Sequence, residues 1–295
     1  MLEKLLTRPL WQWERHRPYP VRQRFAQLPP IAVAPAGKRF AVLTTPAALP
    51  DALWAAWSWF RFLQQEDFEL HLAVDGTLPE EDLRKTRSLF PGISVYDVNP
   101  LLAKVSQNRP ALRNFFEHNR MAKQVGLSLA LSAQAPLLYS DHDVYAFNQP
   151  HELLSAIHSG LPSYFVDIAE SANDHALLET LRDKNIGTLD RFNTGFLYIP
   201  QHALSVDLAE EVLTGWQPNP PCYFTSQTVM SVLMHATHAK ALPADRYVIC
   251  DQRQFYTEQD VDYRTIAARH FTGTVRHVLY KYGMPFLLRQ SRNQL

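Results

Sequence analysis

Asp141 and Asp143, one residue apart, close the apolar run Pro136-Leu137-Leu138-Tyr139-Ser140, and apolar sequence resumes at Val144-Tyr145-Ala146-Phe147. The pattern predicts a buried strand that delivers Asp141 at its carboxyl end, followed by a tight turn through His142. Two carboxylates on one turn offer oxygens to a hard divalent cation, Mn²⁺ or Mg²⁺, which in turn neutralises a diphosphate and activates it as a leaving group. Asp-X-Asp spacing is common in solvated loops, so it is the position after a buried strand that singles this pair out.

A second group lies far along the chain, at His270-Phe271-Thr272-Gly273-Thr274-Val275-Arg276. The imidazole of His270 can complete a metal site, Gly273 lets backbone approach a phosphate, and Arg276 offers charge-assisted hydrogen bonds to the same diphosphate. With 12 histidines in the chain, His270 alone would carry little weight; the Gly and Arg at these offsets set it apart. Asp167, Glu170 and Asp174 follow a strand candidate and could serve as a base or bind hydroxyls, although Ser171-Ala172-Asn173-Asp174 has the composition of a polar loop. Trp54, Trp57 and Trp59, and near the end Tyr280, Tyr282 and Phe286, have rings suited to stacking on a sugar. Packing into a core is the default for such aromatics.

Hydrophobic periodicity supplies the scaffold. It predicts strands over 40–44, 68–74 and 93–98, with helices over 49–65 and 79–89 between them. A long helix over 112–134 then precedes the strand over 136–140. This alternation defines an α/β fold with a parallel sheet, and ligands of such sheets bind beyond the carboxyl ends of the strands. The second half adds strands over 163–167, 194–199 and near 246–250, and a helix over 225–235. There is no internal repeat or low-complexity block.

The chain has 295 residues, enough for one large α/β domain, and Lys plus Arg equals Asp plus Glu at 29 each. That balance gives no reason to expect a nucleic-acid partner. Cys222 and Cys250 form no disulfide framework and have no metal-ligand spacing, which suits a reducing, cytoplasmic setting. The start lacks the apolar core of a secretory signal, and the longest uncharged stretch, 125–140, is interrupted by Gln134 and Pro136. Residues 1–38 form a basic, Pro- and aromatic-rich extension with Lys4, Arg8, Arg15, Arg17, Arg22 and Arg24 among Trp11, Trp13 and Tyr19. Such an arm either makes a peripheral membrane contact or packs along the domain that follows over 39–295.

Three short stretches give these residues a family likeness. Ser140-Asp141-His142-Asp143-Val144, Phe192-Asn193-Thr194-Gly195-Phe196 and the run from His270 to Arg276 are similar to the Asp-X-Asp, Phe-Asn-(Ser/Ala)-Gly and His-X-X-Gly-X-X-Lys motifs of one group. The chain thus resembles glycosyltransferase family 8 and related GT-A enzymes, in element order over roughly 40–285. The resemblance implies a GT-A-like mixed, mostly parallel sheet flanked by helices. It also implies metal-dependent transfer of a sugar from a nucleoside diphosphate sugar, UDP-sugar favoured, to a hydroxyl of a glycan or other acceptor. By the same likeness Asp141, Asp143 and His270 are metal ligands, and Gly273, Arg276 and Lys123 hold phosphate. Thr44, Thr45 and Asp75 line the nucleoside edge, and Asn193 and Gln227 face the sugar as catalytic positions. The chain departs from the pattern at Arg276, where the family has Lys, at His277-Val278 for Pro-Trp, and at Ser226, where a carboxylate normally precedes Gln227. That last departure supports one alternative, a degenerate protein of the same fold that binds a nucleotide sugar or glycan without turnover; a second alternative is a metal-dependent nucleotidyltransferase or phosphohydrolase using the same carboxylates.

Overall fold

In a computed structural model, residues 17–167, 173–218, 222–249 and 261–292 are described. Residues 1–16 of the basic arm, with Trp11 and Trp13, lie outside them, as do Glu170 and Cys250. Strands β1 (Lys38–Thr44), β2 (Phe68–Val74) and β3 (Ser94–Asp97) alternate with helices α1 (Leu49–Leu63) and α2 (Glu80–Leu89). Each helix carries the chain back so that the next strand runs the same way; β1 pairs in parallel with β2, and β2 with β3. Helices α3 (Asn99–Val105), α4 (Pro110–His118) and α5 (Ala122–Ser132) then lead to β4 (Leu137–Asp141), which pairs in parallel with the other side of β1. The chain reverses its direction of sheet growth between β1 and β4, and at such a switch point the strand ends border a crevice.

The single helix expected over 112–134 is two helices. Asn119 is extended; its side-chain carbonyl accepts from the Met121 amide at 2.9 Å and its Nδ2 donates to the Cys222 carbonyl at 3.2 Å. This local turn competes with the helical ladder and ends α4, an effect that apolar periodicity cannot register.

Beyond β4 come β5 (Val144–Ala146), α6 (His151–Ser159), β6 (Ser163–Val166), α7 (His175–Asp183), β7 (Phe192–Ile199), α8 (Val206–Leu213) and α9 (Thr225–Ala236). Short strands β8 (Lys240–Ala241), β9 (Tyr247–Ile249) and β10 (Ala268–His270) precede the terminal helix α10 (Met284–Arg292). The main sheet has the order β3-β2-β1-β4-β7-β6-β8, with β7 antiparallel to both β4 and β6. A second, three-stranded sheet has the order β5-β10-β9. The architecture is the mixed, mostly parallel α/β class expected from the sequence.

Helix α1 is apolar on nearly every face because it is enclosed, and its tryptophans are anchors. Trp54, Trp57 and Trp59 are fully buried, and their indole N–H groups donate to the carbonyls of Arg22, Pro29 and Val144 at 3.0, 3.1 and 3.0 Å. Buried indoles need such partners, and these three stitch the amino-terminal segment and β5 onto one helix. The described part of the basic arm is accordingly packed. Phe25, Leu28, Ile31 and Val33 are buried, and the Ile31 and Val33 amides donate to Leu89 and Pro91. Among the described residues no helix is long and apolar enough to cross a membrane.

Candidate metal and phosphate site

Leu137 to Ser140 are buried in the middle of the sheet, so Asp141 emerges where β4 meets the crevice, in register with Leu43 of β1. The turn that follows is held by what comes next. The Ala146 amide donates to Ser58 Oγ at 3.0 Å, and the Tyr145 hydroxyl donates to the Asp51 carbonyl at 2.8 Å, both on α1. Strand β10 pairs antiparallel with β5, setting His270 opposite Val144, and the Phe271 amide donates to the Asp143 carbonyl at 2.8 Å. This short ladder brings the carboxyl-terminal motif back to the Asp turn. Asp141, Asp143 and His270 each present one ligand atom, all within 4.8 Å of one another.

Arg276 reaches the same place: its guanidinium donates to Asp143 Oδ2, while His270 Nε2 lies 3.2 Å from Asp143 Oδ1. Burial alone would push the Asp143 carboxyl up, but Arg276 and then His270 outweigh it and hold the group well below the usual carboxylate range. Asp141 goes the other way. Burial and then the Asp143 charge push it to about 7, against the opposing pull of His270 and a hydrogen bond from the Tyr139 hydroxyl. Burial disfavours a charged His270, yet the Asp143 and Asp141 charges prevail and raise it above its ordinary value. One of two crowded carboxylates thus resists ionisation, as like charges brought close together do. Two carboxylate oxygens and an imidazole nitrogen are a donor set suited to Mn²⁺ or Mg²⁺ completed by phosphate oxygens, so these residues fit such an ion.

Behind His270 lies Asn193. Its Oδ1 accepts from the Gly195 amide at 2.9 Å and lies 3.1 Å from His270 Nδ1, and its Nδ2 donates to Asp167 Oδ2 at 3.0 Å. A Cβ on Gly195 would fall 2.5 Å from His270 Cε1, so the ring seats against bare backbone. The register between β6 and β7 shifts at Tyr164/Phe165, which pair with Leu197 and Asn193, and such an irregularity re-aims side chains next to a site. Sequence reasoning passed over Tyr139 and the role of Asp167. The available signal was the glycine inside a buried strand, which marks a close approach.

The expected nucleoside edge assembles separately. Lys123 on α5 donates to the Asp75 carboxylate at the end of β2, and the Asp75 amide donates to the Thr44 carbonyl at 2.7 Å. Thr44 is buried with its hydroxyl turned onto the Thr45 carbonyl at 3.1 Å, which leaves Thr45 as the exposed residue of that pair. Gly273 is exposed, and a Cβ there would meet no atom within 4 Å. Gln227 is buried beside Ser226 in the first turn of α9. Just before that helix lies the exposed Tyr223, whose phenol is raised above its ordinary value by partial desolvation and then by the Asp141 and Asp143 charges. Asp174 is a structural cap: one oxygen accepts from the Leu177 amide of α7 at 3.2 Å and the other from the Thr225 hydroxyl at 2.6 Å. Tyr280 donates to Asp51 Oδ2 at 2.9 Å, and Phe286 packs on Phe147 and Tyr263.

No protein-family model matches the chain, and no curated protein does. Solved structures do. The galactosyltransferase LgtC, in complex with donor and acceptor sugar analogues, superposes with a TM-score of 0.54 at 15% identity over 87% of this chain and 96% of its own. Mouse xyloside xylosyltransferase 1 in its apo form gives a TM-score of 0.52 at 12% identity over 83% of this chain and 99% of its own. The bifunctional glycosyltransferase WbbM, also apo, gives 0.54 at 12% identity over 89% of this chain and 52% of its own. The chain therefore has the GT-A fold of glycosyltransferases.

Proposed function

We propose that this protein is a metal-dependent glycosyltransferase that moves a sugar from a nucleoside diphosphate sugar to a hydroxyl of a glycan or similar acceptor. The observation that carries the reading is the convergence of Asp141, Asp143 and His270, with Arg276 beside them, where β4 of a GT-A sheet meets the crevice. A divalent cation bound there would supply charge neutralisation for the departing diphosphate. The protein's own part is electrostatic and positional. Asp141, Asp143 and His270 hold the ion, Arg276 turns its guanidinium from Asp143 to the diphosphate, and the open side of Gly273 admits a phosphate against backbone. Lys123 with Asp75, Thr44 and Thr45 would receive the nucleoside, and Gln227 the sugar. UDP-sugars are the first donors to try. The LgtC and xylosyltransferase likenesses support the class of chemistry through fold alone.

Ser226 favours a second reading. A buried hydroxyl stands where the resembling family carries a carboxylate, Asp174 is committed to capping, and Asp167 is engaged by Asn193. A protein that binds a nucleotide sugar without turnover would have this arrangement. Incubating the protein with Mn²⁺ and a panel of nucleotide sugars and hydroxyl acceptors separates the two: release of nucleoside diphosphate with a glycosylated product supports transfer. Metal-dependent binding with no release supports the non-catalytic form, and release of a sugar 1-phosphate with the nucleoside monophosphate joined to the acceptor would point to nucleotidyl transfer.

A further inference from the structure

Asn193 was expected beside the sugar, but both ends of its side chain are taken by protein. The amide can be oriented without ambiguity. The Gly195 backbone N–H can only donate, so the atom facing it is Oδ1, and Nδ2 is then the atom that donates to Asp167 Oδ2. With Oδ1 fixed as an acceptor, His270 Nδ1, 3.1 Å away, must carry the proton it shares with Asn193. That choice leaves Nε2 as the nitrogen directed at Asp143, 3.2 Å from its Oδ1. Asp167, Asn193 and His270 are 8%, 5% and 6% exposed, so all three side chains are buried. Gly195 lets the imidazole lie against the strand, leaving the ring little room to turn over.

We infer that Asp167 and Asn193 form a positioning relay that fixes the tautomer and orientation of His270 and so prepares its Nε2 for a divalent cation. The inference rests on the metal reading above and assigns Asn193 to the protein side of the site. Outer partners of a metal-ligating histidine characteristically set which nitrogen binds and how strongly.

The test uses Mn²⁺ alone, with no nucleotide, and reads free Mn²⁺ by electron paramagnetic resonance. Asn193→Ala should weaken Mn²⁺ binding about 10- to 100-fold, and Asp167→Ala, which frees the far end of the amide, should cause a smaller loss in the same direction. In a His270→Ala background, Asn193→Ala should have no further effect, because the relay acts only through that ring. The exchange Asn193→Asp with Asp167→Asn keeps an acceptor toward Gly195 and His270, reverses only the bond between the two side chains, and should recover most of the affinity. With Zn²⁺ bound, ¹⁵N spectra of the imidazole should show a protonated Nδ1 and a metal-bound Nε2 in the wild type, and lose that single state in Asn193→Ala. A wild type that binds Mn²⁺ while folded Asn193→Ala binds it equally well, or a loss that persists without His270, overturns the relay and leaves the metal site standing. A wild type that binds no Mn²⁺ overturns both. If Asn193→Ala does not fold, the exchanged pair and Asp167→Ala decide by the same readouts.

Discussion

The two halves of the candidate site are built differently. At the metal end, Asp143, His270 and Asn193 are almost without exposure, and each is held by fixed partners: Arg276 and His270 on Asp143, Asn193 on His270, Asp167 on Asn193. At the nucleoside end, Lys123 and Asp75 are half-buried, with side-chain exposures of 23% and 36%, and they pair with each other, Lys123 from the first turn of α5 and Asp75 from the connection after β2. Deep burial with satisfied hydrogen bonds favours one geometry, as a coordination site requires. A half-exposed ion pair can be exchanged at little cost for contacts to an incoming ligand. On the proposed reading, the first end receives an ion and the second a group that arrives and leaves.

The contrast predicts a graded set of effects. Asp143→Ala removes a ligand and should reduce Mn²⁺ binding by more than the roughly 10–100-fold typical of an outer partner. Paramagnetic titration of a variant whose circular dichroism is unchanged checks this, and undiminished Mn²⁺ affinity would dissolve the distinction between the two ends. Arg276→Ala should weaken a nucleoside diphosphate by about 1.5–3 kcal/mol, the worth of hydrogen bonds to a charged group, while leaving the free nucleoside nearly unaffected. The same variant should bind Mn²⁺ alone more tightly, because Asp143 loses the guanidinium that competes for it; calorimetry with each ligand separately reads both signs. Trp59→Phe keeps the ring stacked on Phe196 but leaves the Val144 carbonyl without its donor, for a cost of about 1–3 kcal/mol seen as a lower unfolding midpoint. Lys123→Ala should change stability least, by no more than about 1 kcal/mol, and should lower nucleoside affinity with Mn²⁺ affinity intact. A large stability loss there would show that the nucleoside end is as rigid as the metal end.

Much of the metal end was legible in the sequence because its signals are local. An apolar run ending in Asp141 specifies a strand and its terminus, and His270, Gly273 and Arg276 share one short motif. The convergence of the two depends on pairing between the three-residue strands β5 and β10, too short to show alternation and far apart in the chain. The break at Asn119 was hidden because its cause is a side chain competing with the helical ladder, including a bond to Cys222 distant in sequence. The Lys123–Asp75 pair and the hold of Asn193 on His270 are likewise tertiary. They follow from sheet order and from a register shift, neither of which is written in residue spacing.

The central claim is that Asp141, Asp143 and His270 hold a divalent cation through which a diphosphate is bound. Calorimetric titration of the wild type and of His270→Ala with a nucleoside diphosphate and with the bare nucleoside, each with and without Mn²⁺, tests it most directly. The account predicts that Mn²⁺ strengthens the diphosphate at least about tenfold in the wild type, a difference of about 1.4 kcal/mol. It predicts little effect on the nucleoside, and loss of most of the enhancement in His270→Ala. Equal diphosphate affinity with and without Mn²⁺ in the folded wild type, or an enhancement that survives His270→Ala in full, would contradict it.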